Sequence, residues 1–249
     1  MGKIQSAGEE TREEKKRVSE AQRRKERTAY AGVASGSFFK NQRERCVVYL
    51  ARMPSKLKLT SLPQKPAGFI EPMDCLAVTK LPESANWVWE IKIDGYRAIA
   101  VKNGDRVNLY SRTRNSFNSK FNYIADALSD MPAGTVLDGE LVGIDDDGRP
   151  NFNLLQNFRA GAHHIQYYVF DLLCLNNRDT TKLMLIERRN LFKMLSFKDR
   201  RIKIIDYIEA EPDELPGAVR ELKLEGIVGK RKAAYTDPAH AVERGSNTV

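Results

Sequence analysis

The stretch from Trp87 to Val101 constrains the fold more than any other part of this 249-residue chain. Aromatic and β-branched residues alternate with polar ones over Trp87–Lys92, which is the period-two pattern of a β-strand. Asp94-Gly95 is a turn signal, and Arg97–Val101 is then predicted to be the returning strand of a hairpin. Lys92 is therefore predicted to lie at a strand end, where its side chain can point into a cleft.

Lys92 is flanked by two carboxylates, Glu90 and Asp94, and by a following arginine, Arg97. A free lysine has a pKa of about 10.4 and is a poor nucleophile at neutral pH. Neighbouring cations lower such a pKa and neighbouring carboxylates raise it, so a reactive Lys92 requires a cation that arrives with the substrate. A metal-bound nucleoside triphosphate fits this requirement. From this segment alone, an exposed hairpin with a weak surface ion pair remains an equal alternative.

Four further strand-like segments carry charged residues beside apolar runs. Singly, each has an ordinary interpretation as a core strand with a polar end. Their order along the chain is what makes them specific. The segments are Leu109–Arg112, Val136–Ile144 with Asp138-Gly139-Glu140 inside it, Tyr167–Leu173 with Asp171 inside it, and Glu225–Arg231.

The ordered series resembles the nucleotidyltransferase motifs of ATP-dependent DNA ligases, especially the ligase modules of bacterial end-joining systems. The resemblance covers roughly Phe69 to Arg231 and implies an α+β, ATP-grasp-like fold in which antiparallel sheets flank a nucleotide cleft and helices lie outside. RNA ligases and capping enzymes share the lysine motif, so that alternative stays open. The motifs are Lys92-x-Asp94-Gly95-x-Arg97, Ser111-Arg112, Asp138-Gly139-Glu140, Tyr168-Val169-Phe170-Asp171 and Glu225-Gly226-x-Val228-x-Lys230.

The resemblance implies a covalent mechanism centred on Lys92. This lysine would attack the α-phosphate of ATP, release pyrophosphate and hold AMP as a phosphoramidate, with Mg²⁺ or Mn²⁺ present. The AMP would pass to a 5′-phosphate at a DNA strand break, and the 3′-hydroxyl would displace it during repair or recombination. The implied roles of the other residues are adenine recognition by Glu90, ribose and phosphate contacts by Arg97 and Arg112, a ribose hydrogen bond to Glu140, adenine stacking on Phe170, metal binding by Glu225 and phosphate contact by Lys230.

The chain is predicted to divide into three parts. Residues 1–65 form a charged, flexible arm, residues 66–233 the adenylation domain, and residues 234–249 an atypical tail. The family continues into a final motif with two lysines and then a small β-barrel domain, whereas no lysine follows Lys232 here. We therefore expect weak nick sealing by the chain alone. Either a separate DNA-repair partner protein completes it, or the chain is a truncated, non-catalytic nucleotide- or DNA-binding remnant.

The net charge of +8 suggests a nucleic-acid partner, but it is unevenly distributed. Residues 1–70 hold 16 Lys and Arg against 7 Asp and Glu, a net +9, so the remainder of the chain is close to −1. DNA contacts by the predicted catalytic region must therefore be local. Three widely spaced cysteines and the lack of a leader or a membrane-length apolar run lead us to expect a cytoplasmic protein.

Local patterns predict three helices and one turn outside the motifs. The helices cover Tyr123–Asp130, Ile186–Phe197 and Pro216–Lys223. The acidic run Asp145–Gly148 lacks the spaced later ligands of a calcium loop, so a hairpin turn is the expected structure there.

Overall fold

Two β-sheets form the framework of the computed structural model, which describes residues 59–82, 85–158, 164–192, 195–221 and 224–236. The small sheet pairs β1 with β8, and the large sheet has the order β3-β2-β4-β5-β6 with β7 alongside β5. All pairs are antiparallel except β5 with β7. The strands are β1 (Trp87–Lys92), β2 (Tyr96–Asn103), β3 (Arg106–Ser111), β4 (Thr135–Gly143), β5 (Ile165–Leu175), β6 (Arg178–Asp179), β7 (Ile202–Ile204) and β8 (Gly226–Arg231).

Four α-helices connect the strands in the described part of the chain, so the predicted α+β class is confirmed. The predicted helix over Tyr123–Asp130 is shifted, since the observed helix begins at Asn118, whose side chain accepts from the Leu109 amide of β3. The predicted helix over Ile186–Phe197 is too long, since residues 195–197 are not helical. The helices are α1 (Asn118–Ala127), α2 (Phe152–Gln156), α3 (Leu185–Phe192) and α4 (Leu215–Glu221), and short 3₁₀ turns cover Leu59–Ser61, Thr180–Lys182 and Pro212–Glu214.

The hairpin predicted between β1 and β2 is wrong, although both strands exist. β1 pairs with β8, with Lys92 opposite Gly226, whereas β2 pairs with β3 and β4. The chain crosses from one sheet to the other at Asp94-Gly95. A Cβ at Gly95 would lie 2.1 Å from the backbone oxygen of Leu141, so the crossing runs against β4 at a distance that only glycine allows.

β1 separates an apolar face from a functional face. Trp87, Trp89 and Ile91 pack into a cluster with residues of α4 and β8. Trp89 lies opposite Gly229, where a Cβ would come within 2.7 Å of the indole ring. Because side chains alternate along a strand, the opposite face of β1 carries Glu90 and, at the strand end, Lys92.

The large sheet is covered on both faces. One face packs on α1, α2 and α3 through a core that includes Phe121, Ile124 and Leu155. The other face carries Ile99, which packs in a cluster with Ala67 from the segment before β1. The functional groups of this sheet therefore come from the same face as Ile99.

The segment before β1 is fastened to β6 and the loop ahead of it. The Lys65 amide donates to the Asn177 carbonyl oxygen at 2.9 Å, and Lys65 Nζ lies 3.4 Å from Asp179. The predicted arm lies outside the described residues as far as residue 58, and so does the predicted tail after Thr236; both stay predictions. None of the described helices is long and apolar enough to cross a membrane.

The predicted turn at Asp145–Gly148 is confirmed. Oδ1 of Asp145 accepts from the amides of Asp147 and Arg149, both at 2.9 Å. Gly148 adopts a φ of 78°, which glycine tolerates without strain. The Asp145 side chain thus shapes the connection between β4 and α2.

Candidate active site

Five strands bring most of the predicted site residues together. β1 and β8 supply one wall, with Glu90, Lys92, Glu225 and Lys230, while β2, β4 and β5 supply the other. The large-sheet wall contains Arg97, Glu140 and Phe170. Arg112 is the exception: it follows β3 and forms an exposed ion pair with Asp74, with 2.8 Å between Nη2 and Oδ2.

Lys92 is in contact with a carboxylate from the opposite strand. Its Nζ forms an ion pair with Oε1 of Glu225, because the antiparallel ladder places Lys92 opposite Gly226 and so brings the preceding glutamate alongside. The two side chains are 31% and 35% exposed. A partly exposed pair of this kind is held weakly and can be exchanged for another partner.

Glu90 is buried between two cations. Its Oε2 lies 2.6 Å from Lys230 Nζ, and its Oε1 lies 3.4 Å from Arg189 Nη2. Glu90 is 3% exposed, yet Oε1 accepts no hydrogen bond from any residue in the described part of the chain. Lys230 Nζ also lies 4.7 Å from the ring centroid of Phe170. This corner therefore combines an acceptor oxygen with an aromatic face.

Arg97 is fixed by the carboxylate of Asp138, a motif residue for which no role was predicted. The two side chains form a bidentate pair with distances of 2.6 and 2.7 Å. Burial acts to lower the pKa of Arg97, but the charge and hydrogen bonds of Asp138 outweigh it and raise that pKa. The guanidinium lies 4.5 Å from the ring centroid of Phe170 and also donates to the Met73 carbonyl oxygen at 3.3 Å.

Glu140 lies directly opposite Arg97 in the ladder between β2 and β4. Burial raises the pKa of Glu140 to about 8, since the charges of Arg97 and Lys92 only partly compensate for lost hydration and Asp138 and Asp94 act in the same direction as burial. A carboxyl group with this pKa is largely protonated at neutral pH. It can therefore donate as well as accept a hydrogen bond, which suits a hydroxyl partner.

Behind the site, a buried ion pair joins β5 to α3. The Arg188 guanidinium is 0% exposed and donates to both carboxylate oxygens of Asp171, at 2.7 and 2.8 Å. Burial would raise the pKa of Asp171, but Arg188 and then Lys230 lower it overall. Arg188 also donates to the Ala234 carbonyl oxygen at 3.2 Å, and Thr236 Oγ1 lies 3.3 Å from Asp171.

Sequence reasoning missed Arg188 and Arg189. A run of charged residues in a short helix is typical of a solvated surface, and Glu187-Arg188-Arg189 has that composition. One signal was available: Asp171 interrupts an otherwise apolar strand, and a buried carboxylate requires a cation or several donors. The pattern therefore predicted a buried cation beside Asp171 but did not indicate which residue supplies it.

The arrangement fits a purine nucleoside triphosphate. Phe170 offers a ring face, Glu90 an acceptor edge, and Lys92, Lys230 and Arg97 positive charge. No group of three or more His, Cys, Asp or Glu side chains among the described residues could hold a metal ion. Mg²⁺ bound with a triphosphate commonly takes only one or two protein carboxylates, and Glu225 fits that mode.

Comparison with known proteins places the chain in a family. The family described as ATP dependent DNA ligase domain matches residues 73–244. The SPbeta prophage-derived DNA ligase-like protein LigB of Bacillus subtilis is 31% identical over 166 residues, which are 66% of this chain and 61% of that protein. The multifunctional non-homologous end joining protein LigD of Pseudomonas aeruginosa is 32% identical over 160 residues, 62% of this chain and 19% of LigD.

Solved structures share the fold. The ligase domain of M. tuberculosis LigD superposes with a TM-score of 0.60 at 24% identity, covering 71% of this chain and 60% of that one. A mycobacterial DNA ligase D complexed with ATP and MES gives the same TM-score and coverage at 23% identity. The chain thus spans about three-fifths of LigB and about a fifth of LigD. Because the family match includes well over half of its residues, this chain belongs to the ATP-dependent DNA ligase domain family.

Proposed function

We propose that this chain is the adenylation module of a DNA ligase, which takes AMP from ATP onto Lys92 and delivers it to the 5′-phosphate of a DNA strand break. The observation that carries the proposal is the exchangeable Lys92–Glu225 pair beside the buried Glu90–Lys230 pair and the Phe170 ring. A nucleophile, phosphate-binding charge and a base-binding corner therefore occupy one cleft of a chain that belongs to the ligase family.

In the first step, Lys92 Nζ gives a proton to water and attacks the α-phosphorus of ATP. A nitrogen–phosphorus bond forms, the bond from the α-phosphorus to the bridging oxygen breaks, and pyrophosphate leaves with the electron pair. A divalent cation, Mg²⁺ or Mn²⁺, would offset phosphate charge. Glu225 is the residue that would hold it, and binding the cation would take Glu225 out of its ion pair with Lys92.

The nucleotide would be held by groups from both sheets. An adenine stacked on Phe170 competes with the two cations at that ring, Arg97 and Lys230. Arg97 is fixed by two short bonds to Asp138, whereas Lys230 makes one ion pair with Glu90. Lys230 is therefore the cation that moves, and the phosphates are the negative groups within the proposed ligand that can attract it.

The proposed second substrate is nicked or broken double-stranded DNA, by analogy with relatives whose names contain DNA ligase or end joining. We extend the proposal to a role in DNA repair or recombination, with a separate repair protein as a partner. The described domain is nearly neutral, so its DNA contacts are expected at local cations such as Arg112 rather than across a general basic surface.

The test is covalent labelling with ATP that carries its label on the α-phosphate. The full chain is incubated with labelled ATP and Mg²⁺, denatured and separated, beside Lys92→Arg and Lys92→Ala. Wild-type protein is expected to carry an acid-labile, alkali-stable label, as a phosphoramidate does. Both variants are expected to lose it by about 1,000-fold or more, because neither side chain offers an amine that can be deprotonated at neutral pH.

The Lys92→Arg variant is the sharper control, since it keeps a positive charge opposite Glu225. Covalent label on Lys92→Arg would show that another residue is the nucleophile and would contradict the assignment of Lys92. An unlabelled wild-type chain would contradict the proposed activity. Addition of a nicked duplex with a 5′-phosphate to labelled wild-type protein is expected to transfer the label to DNA, whereas a nicked RNA duplex and labelled GTP test the wider lysine nucleotidyltransferase alternative.

A further inference from the structure

We infer that Arg189 is a positioning residue that sets the preference of the nucleotide site for adenine; this inference rests on the proposed function. Arg189 lies on α3, outside every motif that suggested nucleotide chemistry. Its guanidinium nevertheless reaches both groups that would recognise the base. Nη1 donates to the backbone oxygen of Phe170 at 3.2 Å, and Nη2 lies 3.4 Å from Glu90 Oε1.

The position of the Arg189 guanidinium is itself tightly determined. Its side chain is 5% exposed, and Nη2 also donates to the backbone oxygen of Ile205. Its central carbon lies 5.6 Å from the ring centroid of Phe192 and 5.5 Å from that of Tyr207. A planar cation with carbonyl acceptors and aromatic rings around it has little freedom to move. Arg189 therefore holds the Glu90 carboxylate and the backbone of Phe170 in fixed positions.

One carboxylate oxygen of Glu90 forms a close ion pair, and the other has no hydrogen-bond donor among the described residues. Lys230 takes Oε2, while Oε1 accepts no hydrogen bond within the described residues. A negatively charged oxygen in this place accepts a hydrogen bond from an amino group, such as the 6-amino group of adenine. It repels the 6-oxo group of hypoxanthine or guanine, which is itself an acceptor.

The charge balance at Glu90 explains why Arg189 is needed. In the proposed reaction Lys230 leaves Glu90 for the phosphates. Arg189 is then the remaining cation, of those the structure describes around Glu90, that contacts the carboxylate. A buried carboxylate that loses both of its cations turns toward other donors or water. Arg189 thus holds Glu90 in the position in which its Oε1 selects adenine.

The experiment compares ATP with inosine triphosphate, which differs at the 6-position, as labelled substrates for Lys92. Wild-type protein is expected to prefer ATP by about 100-fold in kcat/KM. Arg189→Met and Arg189→Gln are expected to reduce that preference about tenfold, mainly through a higher KM for ATP. Arg189→Gln removes the charge but keeps one amide donor, so it is the more conservative of the two neutral variants. Arg189→Lys restores the cation and is expected to recover most of the preference.

Arg201→Met is the matched control, because Arg201 also combines an acidic partner, Asp199, with an aromatic one, Tyr123, and belongs to neither wall of the site. Its preference should equal that of the wild type. Loss of folded protein lowers kcat for both nucleotides equally and leaves their ratio unchanged. If the preference of Arg189→Gln for ATP over inosine triphosphate in kcat/KM is within twofold of the wild-type preference, the inference is overturned. This holds even if Arg189→Met fails to fold.

Failure of the proposed function gives a different result. If the wild-type chain forms no covalent label, calorimetry with unlabelled ATP and inosine triphosphate measures the same preference as a ratio of Kd values. A tenfold smaller ratio in Arg189→Gln then supports the role of Arg189 in a binding protein. Equal binding of both nucleotides by the wild type, or binding of neither, overturns the inference.

Discussion

The two walls of the cleft hold their charges in different ways. On the small sheet, Lys92 and Glu225 are about one-third exposed and make a single contact. On the large sheet, Arg97 and Asp138 form two short bonds, and their side chains are 25% and 4% exposed. An exposed pair contributes little to stability and exchanges partners readily, whereas a buried pair costs much to break. The small sheet therefore carries an exchangeable pair at Lys92, and the large sheet carries a fixed pair at Arg97.

Breaking the large-sheet pair is expected to have the largest effect. Asp138→Asn leaves the partly buried Arg97 guanidinium without its counter-charge and should lower the free energy of unfolding by about 3 kcal/mol. Urea denaturation of the full chain measures this value. The double variant Arg97→Met with Asp138→Leu removes both charges and should recover most of the loss. If Asp138→Asn lowers the free energy of unfolding by less than about 1 kcal/mol, the Arg97–Asp138 pair is as easily exchanged as the Lys92–Glu225 pair.

Breaking the small-sheet pair should separate activity from stability. Glu225→Gln is expected to reduce Mg²⁺-dependent labelling of Lys92 by about tenfold or more, while unfolding changes by less than about 1 kcal/mol. Glu209→Gln is the matched control, because Glu209 forms an ion pair of 2.8 Å with Lys232 at a similar exposure of 39%. That variant should change neither quantity. Unchanged labelling in Glu225→Gln would remove Glu225 from the metal role.

The third expected effect is a pH dependence at Glu140, the half-buried large-sheet residue whose pKa is raised to about 8 from 4.5. The folded chain binds this proton more tightly than the unfolded chain, so stability falls as pH rises from about 4.5 to about 8 and levels off above that. Glu140→Gln lacks the titrating group. Between pH 5.5 and 8.5, the wild-type Tm should fall several degrees further than that of the variant in thermal melts. Parallel curves would contradict the burial of this carboxyl.

The local residue pattern predicted the positions of the strands better than it predicted which strands pair. The alternation over Trp87–Lys92 and the apolar run around Ile227 identified β1 and β8 correctly. Their pairing escaped prediction because they lie near opposite ends of the domain, and a turn signal at Asp94-Gly95 favoured a nearby partner instead. A period-two pattern shows which face of a strand is buried but carries no information about the neighbouring strand.

The site was predicted in its membership but not in its pairings. Lys92, Glu90 and Lys230 were named from motifs, and they do lie together. Their roles with ATP stay predictions. Arg97 was assigned to the ribose and phosphate, and the structure adds its bidentate partner Asp138. Arg189 escaped notice because a helix of this composition is typical of a protein surface.

The residue types and their order along the chain were enough to indicate the family and the α+β class, because each depends on chemistry or on a short-range repeat. Lys92 as the nucleophile stays a prediction. Only the folded chain decided which cation meets which carboxylate. Lys92 meets Glu225 and Arg188 meets Asp171 because sheet pairing and helix packing bring distant segments within a few ångströms. Burial in that fold also separates a loosely held pair from a fixed one, since the energy of a charge depends on how much water remains around it.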